Sequence, residues 1–206
     1  PRRSASQATT SPGLRSLRVR WPVYMSSTSR SCTTEVAVAR EMAAANGFAD
    51  RITFHQALST EASLPREADL VISDLRGVLP LFQNHILSVI DARRRFLAPG
   101  GVMIPRRDIL WAALLSDEET YRPYAEPWMV NDFGLNMQAG QPLVVNTWRK
   151  VHANPKRLIG PPQRWATLDY CAIASPNVAG RLSWIVGRSI TTHGLIVWFD
   201  TELAEG

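Results

Sequence analysis

The chain has little cysteine, no long apolar run, no acidic residue ahead of Glu35 and no glycine-rich turn, and each shortage narrows what it can be. Its only cysteines, Cys32 and Cys171, have neither metal-ligand nor redox spacing, so no metal site is expected and a reduced, cytoplasmic protein is the simplest account. No stretch reaches the roughly 18 apolar residues that a membrane-spanning helix needs. The first thirty residues lack an uninterrupted apolar segment followed by a small-residue cleavage site, so no signal peptide is expected either. A strand followed by a glycine-rich turn is what holds the anionic or ribose groups of a nucleotide. The nearest approach here, Ser11-Pro-Gly13, has one glycine and no apolar strand before it.

Charge is unevenly spread. Residues 1–31 hold six arginines (Arg2, Arg3, Arg15, Arg18, Arg20 and Arg30) and no acid, which leaves 17 basic and 18 acidic groups in the rest of the chain. The overall +5 therefore belongs to the tail, and the body is close to neutral. Such a tail can meet nucleic acid or an anionic membrane, while its Ser, Thr and Arg content equally describes a solvated, disordered extension.

With 206 residues, 45% of them hydrophobic, the chain can bury one good core or two small ones. Trp21 to Met25 reads at best as an edge strand, because of Pro22. Thr33 or Thr34 can cap a helix from Glu35 to about Ala45, with Val36, Ala39, Met42 and Ala43 on one face and Asn46-Gly47 closing it. Arg51 to His55 is a strand.

The stretch from Asp69 to Gly101 reads as strand, acidic turn and helix. Leu70, Val71 and Ile72 suit a strand buried on both faces. Asp74 follows at its carboxyl end, where open α/β sheets bind ligands. A helix is expected over Leu81 to Leu97, with Phe82, Ile86, Val89 and Ile90 on one face and Pro80 at its start. Beyond Gly101 short apolar runs recur: Val102 to Pro105, Ile109 to Ser116, Leu143 to Val145, Trp165 to Ile173, Arg181 to Val186 and Gly194 to Phe199. This order predicts a parallel α/β sheet followed by a β layer or partial barrel.

Several of these pieces together resemble the protein arginine methyltransferases, class I enzymes that use S-adenosylmethionine. They are VAREMAAANG (Val38 to Gly47), the Ser73-to-Gly77 turn, LFQNHILSVIDARRRFLAPGG (Leu81 to Gly101), Ile104-Pro105, FGLNM (Phe133 to Met137) and THGLIVWFDTEL (Thr192 to Leu203). The resemblance implies a Rossmann-like methyltransferase sheet over residues 32–105, incomplete at its start, and a truncated β-barrel over 106–206 for substrate binding and dimerisation. Residues 1–31 stay unmatched. They are either a diverged basic extension or a segment from a shifted reading frame, and the abrupt onset of the family pattern near Thr34 favours the second.

In that family two glutamates grip the substrate guanidinium, a planar fork of donors that stays charged in water. Here Asp74 takes the first position and Gln83 the second, so one charge is lost and the other sits on a shorter arm. Arg76, Gly77 and His85 complete the substrate loop. Read without the family, Asp74 is a turn former, Gln83 a solvated polar residue and His85 a surface or satisfied histidine. On the cofactor side the resemblance implies S-adenosylmethionine, with Ser59 and Thr60 lining the adenine where the family has a carboxylate. The acid that meets the ribose falls near Ser31. The family's threonine-histidine-tryptophan loop would follow Phe199, and Thr192-His193 matches it only in letters. Methyl acceptors implied are a protein arginine or a small amine. The family's dimer arm maps to residues 121–137, where Tyr121, Tyr124, Trp128 and Phe133 supply large apolar groups. Weak or no activity is expected of this chain, and a non-catalytic interaction protein is the other reading.

Overall fold

The computed structural model describes residues 21–24, 32–131 and 133–204. Most of the arginine-rich tail, and Ser31 at the expected acid position, lie outside the described residues. The chain divides into two compact units, Pro1–Ser63 and Leu64–Gly206.

In the first unit β1 (Trp21–Tyr24) pairs in parallel with β2 (Ile52–His55), Trp21 opposite Ile52 and Tyr24 opposite His55. Between them in sequence lies α1 (Cys32–Ala45). It begins earlier than expected, so Thr33 and Thr34 stand inside the helix and do not cap it. Its alanine-rich sequence tolerates them, since each costs only about 0.5 kcal/mol of helix propensity. Val36 and Ala43 are buried, Ala39 is half-buried, and Met42 is exposed, so the buried stripe is narrower than the apolar sequence predicts. Gly47 ends the helix at φ +72°; its N–H donates to the Ala44 carbonyl at 3.1 Å and that of Phe48 to the Ala43 carbonyl at 2.8 Å.

The second unit opens with β3 (Ala68–Ile72), parallel to β4 (Leu97–Ile104), with α2 (His85–Phe96) between them in sequence. This is the strand-helix-strand unit that the sequence predicts. Among the described residues β4 is the only strand beside β3, and Ile72 is exposed, so the run is not buried on both faces as expected. The helix also starts four residues later than expected. Gly77 at φ +63° and Gln83 at φ +49° place left-handed turns ahead of it, and an α-helix cannot continue through such a residue. Pro80 is therefore in the turn, and Phe82 lies over Gly77, half exposed, and not on the helix face.

The remaining face of α2 is as predicted. Ile86, Val89 and Ile90, spaced three and four apart, are buried together with Met103 of β4. The same cluster takes in Leu110 of β5 (Arg107–Leu115), Leu168 of β6 (Leu158–Asp169), and Tyr170 just past it. With β7 (Gly194–Glu202) these form an antiparallel sheet in the order β6-β5-β7, in which Asp108 stands opposite both Leu168 and Thr201. The expected β layer is thus a three-stranded sheet, and no closed barrel is found among the described residues.

Two expected strands take other forms. Leu143 to Val145 lies in α4 (Gln141–Val145), where Pro142 suits the first turn, after α3 (Glu118–Ala125). Arg181 to Val186 joins no ladder. Side chains tie it to β6 instead: Gln163 Nε2 donates to the Ser183 carbonyl at 2.7 Å and Trp184 Nε1 to that of Pro161 at 3.1 Å, and Ile185 is fully exposed.

Candidate functional site

The site is built at the carboxyl end of β3. Ser73 N–H still donates to the Ile104 carbonyl at 2.8 Å, which carries the β3–β4 pairing one residue further. Asp74 follows directly and its side chain is 83% exposed. Gly77 then turns the chain in a left-handed conformation that a Cβ would strain, and Phe82 packs over the space a Cβ would enter. The loop from Ser73 to Asn84 is thereby held between a paired strand and a core helix.

Arg76 reaches back from this loop. Its Nε and Nη2 donate to Asp74 Oδ1 at 3.3 and 3.0 Å, while its Nη1 donates to Asp108 Oδ1 at 3.1 Å and to Thr201 Oγ1 at 2.6 Å. Thr201 donates in turn to Asp108 Oδ1 at 2.7 Å. On its other oxygen Asp108 accepts from the Tyr170 hydroxyl at 2.5 Å. Asp108, with no exposed side-chain surface, is therefore a buried carboxylate met by three donors, one of them a guanidinium. That is the condition under which a buried charge is tolerated.

The network continues to His85, the first residue of α2. Its Nε2 lies 3.0 Å from the Tyr170 oxygen, and the rings meet edge to face at 81°. Because the tyrosine proton points at Asp108, His85 must donate from Nε2, which fixes the neutral tautomer with a bare Nδ1. Burial is the main cause that holds the His85 pKa below its ordinary value; Arg76 adds to it, and Asp108 and Asp74 oppose it. Burial also leads in pushing the Tyr170 hydroxyl well above its usual range, followed by the bond to Asp108 and its charge. For Arg76 burial works toward a lower pKa, but the bonds to Asp74 and Asp108 and their charges outweigh it and the net shift is upward. Tyr170 is thus a fixed hydrogen-bonding group and Arg76 a permanent cation.

Of the residues expected at the site, Asp74 and Arg76 are in direct contact, and His85 joins them through Tyr170 and Asp108. Of the two readings made without the family, surface or satisfied, His85 follows the second: it is buried with its Nε2 bonded to Tyr170. Gln83 is exposed, in a turn and not in the helix, and makes no hydrogen bond to Asp74 among the described residues. Ser59, half-buried, and Thr60, exposed, belong to the first unit, in a turn where Glu61 and Ala62 N–H both donate to the Leu58 carbonyl. Asp108, Tyr170 and Thr201 escape a reading of the sequence. One signal for Asp108 was there: counting by twos along β5 places it on the face of Leu110 and Ala112, both buried.

No family model matches the chain. Among curated proteins, the probable protein arginine N-methyltransferase 6 of Arabidopsis thaliana is 27% identical over 191 residues, covering 83% of this chain and 41% of that protein. The probable histone-arginine methyltransferase CARM1 of Oryza sativa subsp. indica is 30% identical over 163 residues, 73% of this chain and 30% of that protein. The chain thus spans less than half the length of either relative. Among solved structures, the Trypanosoma brucei PRMT1 enzyme-prozyme heterotetrameric complex with AdoHcy superposes with a TM-score of 0.61 at 23% identity, over 69% of this chain and 45% of that one. The structural likeness establishes an α/β methyltransferase fold, and together with the sequence matches it makes the chain a member of the protein arginine methyltransferase family.

Proposed function

We propose that the chain supports S-adenosylmethionine-dependent transfer of a methyl group to a guanidinium or other amine nitrogen, weakly as it stands. The observation that carries this is Asp74, a carboxylate exposed immediately past β3 on a loop fixed at both ends. Its Oδ2, which Arg76 leaves open, would accept a hydrogen bond from the acceptor nitrogen, and the Gln83 carbonyl would accept a second. Residues 32–105 would serve the methyl donor, and residues 106–206, with the β6-β5-β7 sheet as the start of a barrel, the substrate. An exposed free thiol at Cys171 suits a reducing, cytoplasmic setting.

The methyl donor is proposed because related proteins are named methyltransferases and the trypanosomal complex holds AdoHcy. The described residues do not by themselves make a nucleoside site. Ser59 and Thr60 offer hydroxyls but no carboxylate, and the open groove of about 340 Å³ in the first unit, lined by Arg40, Ala49, Ile52, Thr53 and Phe54, includes neither. No step is therefore assigned through the donor.

The test is methyl incorporation into an arginine-containing peptide by the 206-residue chain, read by mass spectrometry. Slow transfer is expected, falling about a hundredfold in Asp74→Asn. Transfer unchanged by that substitution would show that the loop does not hold the acceptor. Calorimetry should find the donor bound more weakly than micromolar, and tighter binding would remove the expectation of weak activity.

A non-catalytic, dimerising role is the second reading. It is favoured by the apolar groups laid open along the expected arm and just past it, where Met129, Val130, Phe133, Leu135, Leu143 and Trp148 are all exposed. Tyr121 and Trp128 are exceptions, both half-buried, the first with its ring 5.3 Å from that of His193. Sedimentation at rising concentration should show a dimer, and a strict monomer would sink the arm.

A further inference from the structure

The Asp74 loop contains its own guanidinium. Two donors of Arg76 converge on Asp74 Oδ1, at 3.3 and 3.0 Å, in the way an arginine substrate would engage a gripping carboxylate. An ordinary surface pair of this kind is weak, since two long side chains must be ordered to make it. Arg76 is not ordinary: its side chain is only 16% exposed, its Nη1 is already bound to Asp108 and Thr201, and its guanidinium carbon lies 5.5 Å from the centre of the Phe199 ring. These contacts hold the guanidinium in place, so little further ordering is needed to keep it on Asp74.

The charges around the loop lead to the same place. Asp108 is fully engaged by three donors, His85 is held neutral, and Gln83 carries no charge. Among the described residues Arg76 is thus the one cation of this network, shared between exposed Asp74 and buried Asp108. A second guanidinium arriving at Asp74 would find Oδ1 taken by two Arg76 donors, so it could not grip both oxygens, and it would stand within a few ångströms of the Arg76 charge. An uncharged N–H donor meets no such repulsion and can still use Asp74 Oδ2.

We infer that Arg76 is a specificity-determining residue: it occupies the Asp74 carboxylate as an internal guanidinium, excludes a cationic guanidinium, and leaves the loop to acceptors with an uncharged N–H. This rests on Asp74 being the acceptor-binding group. The probes are N-acetyl-arginine amide and its uncharged counterpart N-acetyl-citrulline amide, titrated into the full chain and followed by NMR. The wild-type chain should not favour the arginine probe. Arg76→Gln should gain about tenfold or more in affinity for it, with little change for the citrulline probe. Arg76→Lys, which keeps the charge, should gain nothing, and adding Asp74→Asn to Arg76→Gln should erase the gain.

Because Arg76→Gln deprives buried Asp108 of its cation, thermal melts accompany the titrations. If that variant does not fold, Arg76→Gln/Asp108→Asn removes both charges and serves in its place. No gain in a folded variant, or a gain that survives Asp74→Asn, overturns the inference. Failure of every variant to bind the methyl donor would count against the methyltransferase reading only, because the arginine and citrulline titrations decide the role of Arg76 without it.

Discussion

Asp108→Ala is expected to lower stability by about 3–5 kcal/mol, the range for removing one partner of a buried ion pair. Three donors converge on this carboxylate: the Arg76 guanidinium and the Thr201 and Tyr170 hydroxyls. With alanine in its place the buried Tyr170 hydroxyl loses its acceptor, Thr201 loses its own, and Arg76 keeps Thr201 and the solvent-exposed Asp74 but loses its buried carboxylate. A void at a position with no exposed surface adds to the loss. For a chain of this size about 2–4 °C of melting temperature accompanies each kcal/mol, so a fall of roughly 6–20 °C is expected by calorimetry. Asp108→Asn should lose less, because an amide of the same shape still offers an oxygen. A melting temperature for the alanine variant within about 2 °C of wild type would mean that the network does not exist in solution.

Tyr170 is the second position where a large effect is expected, and here two contributions can be separated. Its ring is buried in the cluster with Ile86, Val89, Ile90, Leu110 and Leu168, and its hydroxyl links His85 to Asp108. Tyr170→Ala removes both and should cost about 3–5 kcal/mol. Tyr170→Phe keeps the ring and should cost about 1–3 kcal/mol, because it leaves the His85 Nε2–H without an acceptor and Asp108 one donor short. Urea unfolding of the two variants gives the packing contribution as their difference. Equal losses would mean that the ring packs no better than a methyl group, against its burial.

How much of this was legible beforehand depends on the range of the interaction concerned. The strand ending at Ile72, the stripe Ile86, Val89 and Ile90, and Asp74 past the strand end follow from local pattern, and the structure places all of them as expected. Burial of Ile72 and Phe82 was overestimated, because an apolar residue is covered only where neighbours close over it, and beside Ile104 and Gly77 respectively each side chain stays about half exposed. The late start of α2 was hidden in the backbone of Gln83, since glutamine gives no sign that it will adopt a positive φ. Leu143 to Val145 was too short a run for period alone to tell strand from helix. The site was half legible. Asp74, Arg76 and His85 lie within one segment, but what sets their chemistry is Asp108, Tyr170 and Thr201, whose meeting no local period encodes.

The bond from Arg76 to Thr201 spans 125 residues, that from His85 to Tyr170 spans 85, and that from Tyr170 to Asp108 spans 62. Closing loops of that length is entropically costly, and contacts so distant in sequence form slowly. Residues 74–96 come together from neighbouring chain, yet the anchor behind Arg76 is complete only when β7 adds to the free edge of β5. Before that moment Arg76 has Asp74 and, from β5, Asp108, but neither Thr201 nor the Phe199 ring. The positioning of the loop's cation thus depends on a strand far along the chain, and any change that loosens β7 will be felt at Asp74 without touching it.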